Sequence, residues 1–454
     1  MRARLLRMLG NLRESYWFVP ANMALLALLL AVALIYVDAH FTSAWFERIA
    51  WLQAGRPDGA RGLLTAVAGS MLGVAGTTFS VTIAAVVYAS GQYGPRLLSN
   101  FMADRGNQVT LGTFIATFLY SVVVVRTIRS PGEGGVGDGG FVPQLALIVA
   151  LLLVLASIAV LIFFIHHVPR RIHINSVIEQ IGRRLLDEIE THFPPADSEG
   201  DCQRRQIGSM PQRCADNVQL KPAATGYLQI VDHRALVQIA CEADLFIDLK
   251  CQPGDFAHER TVLAEVSPAT VCDEEIRERL CSAFAFGSRR TPMQDLRFLV
   301  DELVEIAARA LSPGVNDPFT ARSCMDWLAA AMAELGQRAA PSPLRVDGEG
   351  VVRVITTPID FAVLAERSFG ALAQYASADM IAAMHYLMSI CDVALACDIA
   401  ERRHVVRHKV EAFRSLSEFH LKGVNATSVS YRATRILECL GDERRLRELR
   451  YSMS

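Results

Sequence analysis

Four long apolar runs in the first third of the chain limit its fold more than any other feature. Residues 20–37, 63–90, 109–125 and 142–165 contain no Asp, Glu or Lys. Each has the roughly 17–25 apolar residues that a helix needs to cross a bilayer. Backbone amides in hydrocarbon must bond internally, so each run is expected as a transmembrane helix. The composition, 52% hydrophobic and 20% charged, averages this part with a more polar remainder beginning near Pro169.

Lys/Arg asymmetry sets the expected orientation. Arg2, Arg4, Arg7 and Arg13 precede the first run, Arg96 and Arg105 lie between the second and third, and Arg170 and Arg171 follow the fourth. Arg48, Arg56, Arg61, Arg126 and Arg129 fall on the other side. The bias puts both termini in the cytoplasm of a multi-pass inner (plasma) membrane protein. The long basic segment before the first run, and the three runs after it, favour a retained span over a cleaved signal. All ten cysteines lie beyond residue 200 without Cys-x-x-Cys spacing, which suits a reducing compartment. A net charge of −2 gives no reason to expect nucleic acid as a partner.

The second run is longer than a bilayer requires. Gly69, Gly73, Gly76, Ser80 and Ala84 recur every three or four residues, a stripe suited to close helix packing. Thr78, Thr82 and Gln92 mark a neighbouring, more polar stripe, and Thr110, Thr113, Thr117 and Ser121 mark another on the third run. Hydroxyl stripes either line a narrow wet path or bond back to their own helices, and back-bonding is the commoner outcome. Arg126 falls at the outer end of the third run, away from its threonines, where it is expected to snorkel to the headgroups. The absence of a carboxylate within the runs argues against a coupled pump.

Beyond residue 168, His166, His167, Arg170, Arg171 and His173 form a basic collar read as an interfacial anchor. Residues 169–195 read as a juxtamembrane stalk helix. Its face of Ile174, Ile178, Ile181, Leu185 and Ile189 would pack on a partner, such as its copy in another subunit. Residues 218–270 alternate strand and turn signals in an order resembling the hammerhead-type fold of biotinyl and lipoyl carriers, without a modifiable lysine. Residues 271–454 read as a helical domain with a hairpin near 344–355. The expected fold is thus an α-helical integral membrane protein, residues 1–168, carrying a cytosolic α+β domain.

No nucleophile elbow, phosphate-binding glycine loop or His-Glu-x-x-His motif occurs, so neither an enzyme nor a cofactor is expected. Asp301, Glu302 and Glu305 cluster on one helix and read as a solvated face rather than a metal site. Ser312, Pro313, Gly314, Asn316 and Asp317 form a loop whose residues suit a turn and an N-cap.

Several segments together resemble a family of bacterial predicted membrane proteins filed as a domain of unknown function. They are Thr78-Phe79-Ser80-Val81-Thr82, Ser90-Gly91-Gln92-Tyr93-Gly94-Pro95-Arg96, Leu111-Gly112-Thr113-Phe114, Pro253-Gly254-Asp255-Phe256, Gln294-Asp295 and Leu311-Ser312-Pro313-Gly314-Val315-Asn316-Asp317-Pro318. The resemblance implies an inner-membrane location and this topology, and brings no known chemistry.

Two functions compete on these grounds. The first is a homo-oligomeric channel gated by its cytosolic domain. Thr78, Thr82, Gln92, Thr113 and Thr117 would line its path, Gly69, Gly73, Gly76 and Ser80 would pack it, and Arg96 and Arg105 would favour anions at the inner mouth. The second is a membrane-anchored sensor or scaffold without permeation. The expected partners are the lipid bilayer, further copies of the chain, and a small ion or cytosolic ligand.

Overall fold

Asp104 accepts hydrogen bonds from the backbone amides of Gly106 and Asn107 and so starts helix α3, Arg105–Thr127. In this computed structural model, which describes residues 16–41, 57–93, 104–130, 140–195 and 216–453, α3 is the centre of the first unit. Helices α1 (Phe18–Phe41), α2 (Pro57–Tyr93) and α4 (Gln144–Ile172) each pack on it. These four helices are long and apolar enough to span a membrane. Over half of the α3 window, 56%, is buried, against 17%, 28% and 17% in the other three, which makes it the axis of the bundle.

Two close contacts hold α3 to its neighbours. A Cβ on Gly112 would stand 2.6 Å from the Met23 sulfur and 3.2 Å from the Pro20 Cα, so α1 approaches there as only glycine permits. The Thr117 hydroxyl meets that of Ser157 on α4 at 2.9 Å.

The helices run further than the apolar runs, and α1 thereby gains a carboxylate. Asp38 is 8% exposed, and its two oxygens accept from the amides of Leu145 and Ala146 at 3.1 and 3.0 Å. Pro143, the N-cap of α4, supplies no side-chain bond of its own, so Asp38 caps α4 from another helix. The expectation of spans free of carboxylate is corrected at this residue.

The described residues fall into two units that divide after His173. His173 has extended backbone dihedrals and ends α4, and α5 (Ile174–His192) begins the second unit. Ile178, Ile181, Leu185 and Ile189 of α5 are buried. They pack on α8 (Leu296–Ala310) and α9 (Pro318–Gly336) of the same chain, with the Trp327 ring laid over Gly182. The stalk expected to offer this face to a partner is therefore built into its own unit.

The strands form two sheets. The first has the order β1-β5-β3-β8-β7, from Val218–Leu220, Ala264–Ser267, Phe246–Leu249, Val352–Ile355 and Leu344–Val346. The second has the order β4-β2-β6, from Phe256–Ala257, Gly226–Val231 and Phe284–Gly287. Helices α6 (His233–Glu242) and α7 (Glu274–Ser282) complete this region. Two expectations change. The 218–270 segment is not a self-contained hammerhead-like domain, because strands from beyond it, β6, β7 and β8, complete both sheets. The hairpin near 344–355 is not a separate feature, because Ile247 and Asp248 pair in parallel with Val354 and Ile355. Strand β6 also lies in a region expected to be helical; Phe284 and Ala285 are buried and pair with Val231 and Ile230.

The rest is helical: α10 (Phe361–Ala365), a π-turn (Glu366–Gly370), α11 (Ala371–Ala376), α12 (Met380–Ala396), α13 (Ala400–His420), α14 (Val424–Cys439) and α15 (Glu443–Met453). Tyr386 of the apolar α12 is buried and stacks on Phe413 at 3.9 Å, and its hydroxyl donates to the Phe369 carbonyl at 3.0 Å.

Candidate functional site

The span unit exchanges the two roles read on α2. Thr78 and Thr82 are 4% and 1% exposed, in line with Leu64, Ala68, Met71 and Ala75 on the face packed within the bundle. The Thr82 hydroxyl bonds back to the Thr78 carbonyl at 2.8 Å, and Thr113 does the same to Val109. Thr117 is paired with Ser157. These hydroxyls form seams between helices rather than the wall of a path through one chain. Conversely, a Cβ on Gly69, Gly73 or Gly76 would meet nothing within 4 Å, and Ser80 is exposed. The stripe expected to pack is the open one. Gln92 lies in the last turn of α2 with its side chain outside what is described, and Arg96 lies outside the described residues. Arg105 is exposed in the first turn of α3, and Arg126 is exposed at its last turn. Of the collar, His167 faces Asp104, with Nε2 3.2 Å from the carboxylate. Near that end, Asn107 is 1% exposed and its side-chain amide has no partner among the described residues.

In the second unit, the turn and dipeptide that carry the family resemblance prove to be one contact. Gly254 has φ +94°, and a Cβ there would stand 2.0 Å from an Asp295 carboxylate oxygen, so glycine is required on both counts. Asp295, 1% exposed, bridges Arg290 at 2.6 Å and Arg297 at 3.1 Å. Arg297 continues to the Pro253 carbonyl and to Asp255, and Arg290 to Asp301, which also holds Arg367. Beside it, the Gln294 side chain makes both backbone-type bonds to Val231. The carboxylate face of α8 is accordingly internal, not solvated: Asp301 is held by two arginines and Glu302 is 2% exposed.

The Ser312–Asp317 loop has the geometry of a turn and cap. Ser312 accepts from the amides of Val315 and Asn316, Asn316 adopts φ +48°, and Asp317 caps α9 through the amides of Phe319 and Thr320. The Thr320 hydroxyl, first, and those amides hold the Asp317 carboxyl below its ordinary range. Pro313 and Gly314 are exposed.

This unit also holds a cavity of about 260 Å³ that no sequence motif marks. Its walls come from the end of α5 (Glu188, His192, Phe193), the start of α6 (His233), the turn after β3 (Cys251, Gln252, Pro253), Gln294, the hairpin residue Arg345, and Thr356–Ile359. A second cleft of about 610 Å³ shares His233 and Arg345. The segments that meet here are far apart in sequence, so no local motif signals the cavity. The end of α5 is held in place from α9: Arg338 donates to the Phe193 carbonyl at 2.9 Å, and the Ala339 amide to that of Pro194 at 2.8 Å. Burial first, and then the Arg345 charge, lower the His233 pKa to about 4, so its imidazole is neutral at neutral pH.

The sequence profile of a family described as predicted membrane protein, domain of unknown function 2254, matches residues 13–392. Proteins of Mycobacterium bovis and Mycobacterium tuberculosis, both described as uncharacterized, are 31% identical to this chain over 364 residues, covering 78% of it and 68% of their own length. No solved structure matches. The match over most of the chain, together with four span-length helices, places the protein in the domain of unknown function 2254 family of predicted membrane proteins.

Proposed function

We propose that this protein is a membrane-anchored sensor: a small ligand occupies the 260 Å³ cavity, and its presence is passed through α5 to the fourth span. The observation that carries this reading is the cavity's position. Glu188, His192 and Phe193, at the end of α5, form part of its wall. At its other end α5 follows α4 after the single residue His173. An occupant that favours one position of the α5 end would shift an equilibrium along α5 by its differential affinity for the two positions. Filling the cavity with Ile359→Trp tests the reading. With normal abundance and membrane insertion, the variant should reproduce the phenotype of a deletion strain. Full restoration of the wild-type phenotype would remove the cavity from the function.

A second reading, a homo-oligomeric channel, is favoured by the open glycine face of α2, which a second copy can approach closely. It predicts ion flux in liposomes carrying the purified protein, and loss of both assembly and flux in Gly73→Leu. The sensor reading predicts flux no greater than that of empty liposomes.

A further inference from the structure

We propose that Arg345 and His233 form the anion-binding pole of the 260 Å³ cavity, and that its ligand is a small organic oxyanion, a carboxylate or phosphate head on an apolar body. The proposal rests on the sensor reading for the cavity's use, but not for its chemistry.

Most polar groups around the cavity are already satisfied. Gln294 is bonded to Val231, the Gln252 side chain to the Thr357 carbonyl, and the Thr356 hydroxyl to the Pro343 carbonyl. Of the neighbouring carboxylates, Asp347 pairs with Arg353 and Glu242 with Arg279, Glu188 lies beside His192, and Asp232 caps α6 through one oxygen while its Oδ2 is buried without a partner among the described residues. Two nitrogen groups are left over. Arg345 is half-buried and uses Nη1 on the carbonyls of Ser342 and Leu344, leaving Nε and Nη2 unbonded and no carboxylate in ion-pair range among the described residues. The Nδ1 of His233 is buried with no partner among the described residues.

A half-buried guanidinium without a counter-charge is costly, and its planar fork suits the two oxygens of a carboxylate or phosphate. Burial pushes the Arg345 pKa down with no carboxylate to offset it. Phe193, Val231, Leu249, Leu296 and Ile359 supply the apolar part of the wall. The volume exceeds that of a bare inorganic anion, so the head group carries an apolar body of on the order of ten non-hydrogen atoms.

An oxyanion seated on Arg345 also raises the proton affinity of His233. The other charges facing that imidazole are Asp232 on its own turn, which favours protonation, and Glu188 and His192 on α5. Binding at a pH near the His233 value of about 4 therefore draws a proton from solution.

Calorimetric titration of the full-length protein in lipid nanodiscs with phenyl phosphate, benzoate and the neutral benzamide tests this. At concentrations on the order of 10 mM, one or both anions should bind and benzamide should not, and the two anions tell a phosphate site from a carboxylate site. Arg345→Gln should weaken anion binding at least about tenfold. His233→Gln should keep weaker binding but lose the proton uptake seen by comparing buffers of different ionisation enthalpy. Should Arg345→Gln fail to fold, Arg345→Lys, which keeps charge but not the fork, serves instead and should also weaken binding. Equal binding of benzamide, no binding of either anion, or unchanged affinity in the folded arginine variant would overturn the proposal. Anion binding in a protein whose Ile359→Trp variant still restores the phenotype would sink the sensor reading and leave the ligand class standing.

Discussion

Asp295 shows how much one residue can organise. It is almost fully buried, and its charge is met by Arg290 and Arg297. Replacing it with alanine removes one carboxylate from each arginine, leaving Arg290 to Asp301 and Arg297 to Asp255 and the Pro253 carbonyl. The expected cost is about 1–3 kcal/mol, read as a lower melting temperature of the full chain with cooperativity retained. His233 gives a pH signature. Its folded pKa is about 4 against 6.5 for a free imidazole. Between those values the unfolded state binds the proton and the folded state does not, so stability falls as pH drops from 6.5 toward 4. The loss is on the order of 3 kcal/mol, and it should be absent from the denaturation profile of His233→Gln. At this scale the sequence was partly legible. The Pro-Gly-Asp-Phe turn and the Gln-Asp pair stood out separately, and Asp317 was identified as a cap from local spacing alone. That Gly254 and Asp295 touch depends on a contact between segments far apart, which no local pattern encodes. His233 carries no motif at all.

At the level of elements, the four spans were legible because their signal is length and apolarity, both local properties. Their faces were not. On α2, glycines and threonines both recur every three or four residues, and in lipid either stripe can turn inward, so periodicity does not choose between them. The choice falls to α3, whose Phe114 clusters with Met71 and Ala75 on the threonine side of α2 and which meets α1 at Gly112. Accordingly Gly112→Leu should disrupt the bundle, read as loss of a monodisperse, proteolysis-resistant protein in detergent, whereas Gly73→Leu should leave the single chain intact. Asp38→Ala removes the cap from α4 and should cost about 1 kcal/mol, with Asp38→Asn retaining part of it. The face of α5 was read correctly as apolar and periodic, but its cover was sought in another subunit. Trp327 lies where a Cβ on Gly182 would be, within 2.3 Å. Gly182→Leu should therefore force α5 away from α9, at a cost of about 1–3 kcal/mol or more, seen as a lower unfolding temperature.

For the whole molecule, the division into a span unit and a mixed α/β unit follows from composition, and the boundary at His173 lies close to where charged residues return. The architecture of the second unit was less accessible, because its first sheet is completed by β8, in parallel with a strand about a hundred residues earlier. The same long-range pairing brings Arg345 to His233 and creates the cavity. The account as a whole therefore rests on one physical connection, between what fills that cavity and the helix leading to the spans. Amide hydrogen exchange on the full-length chain in nanodiscs, comparing wild type with the cavity-filled Ile359→Trp, measures that connection directly. The account predicts altered protection at residues 188–193 that extends along α5 toward Ile174. A change confined to residues 355–360, with α5 exchanging as in wild type, would contradict it.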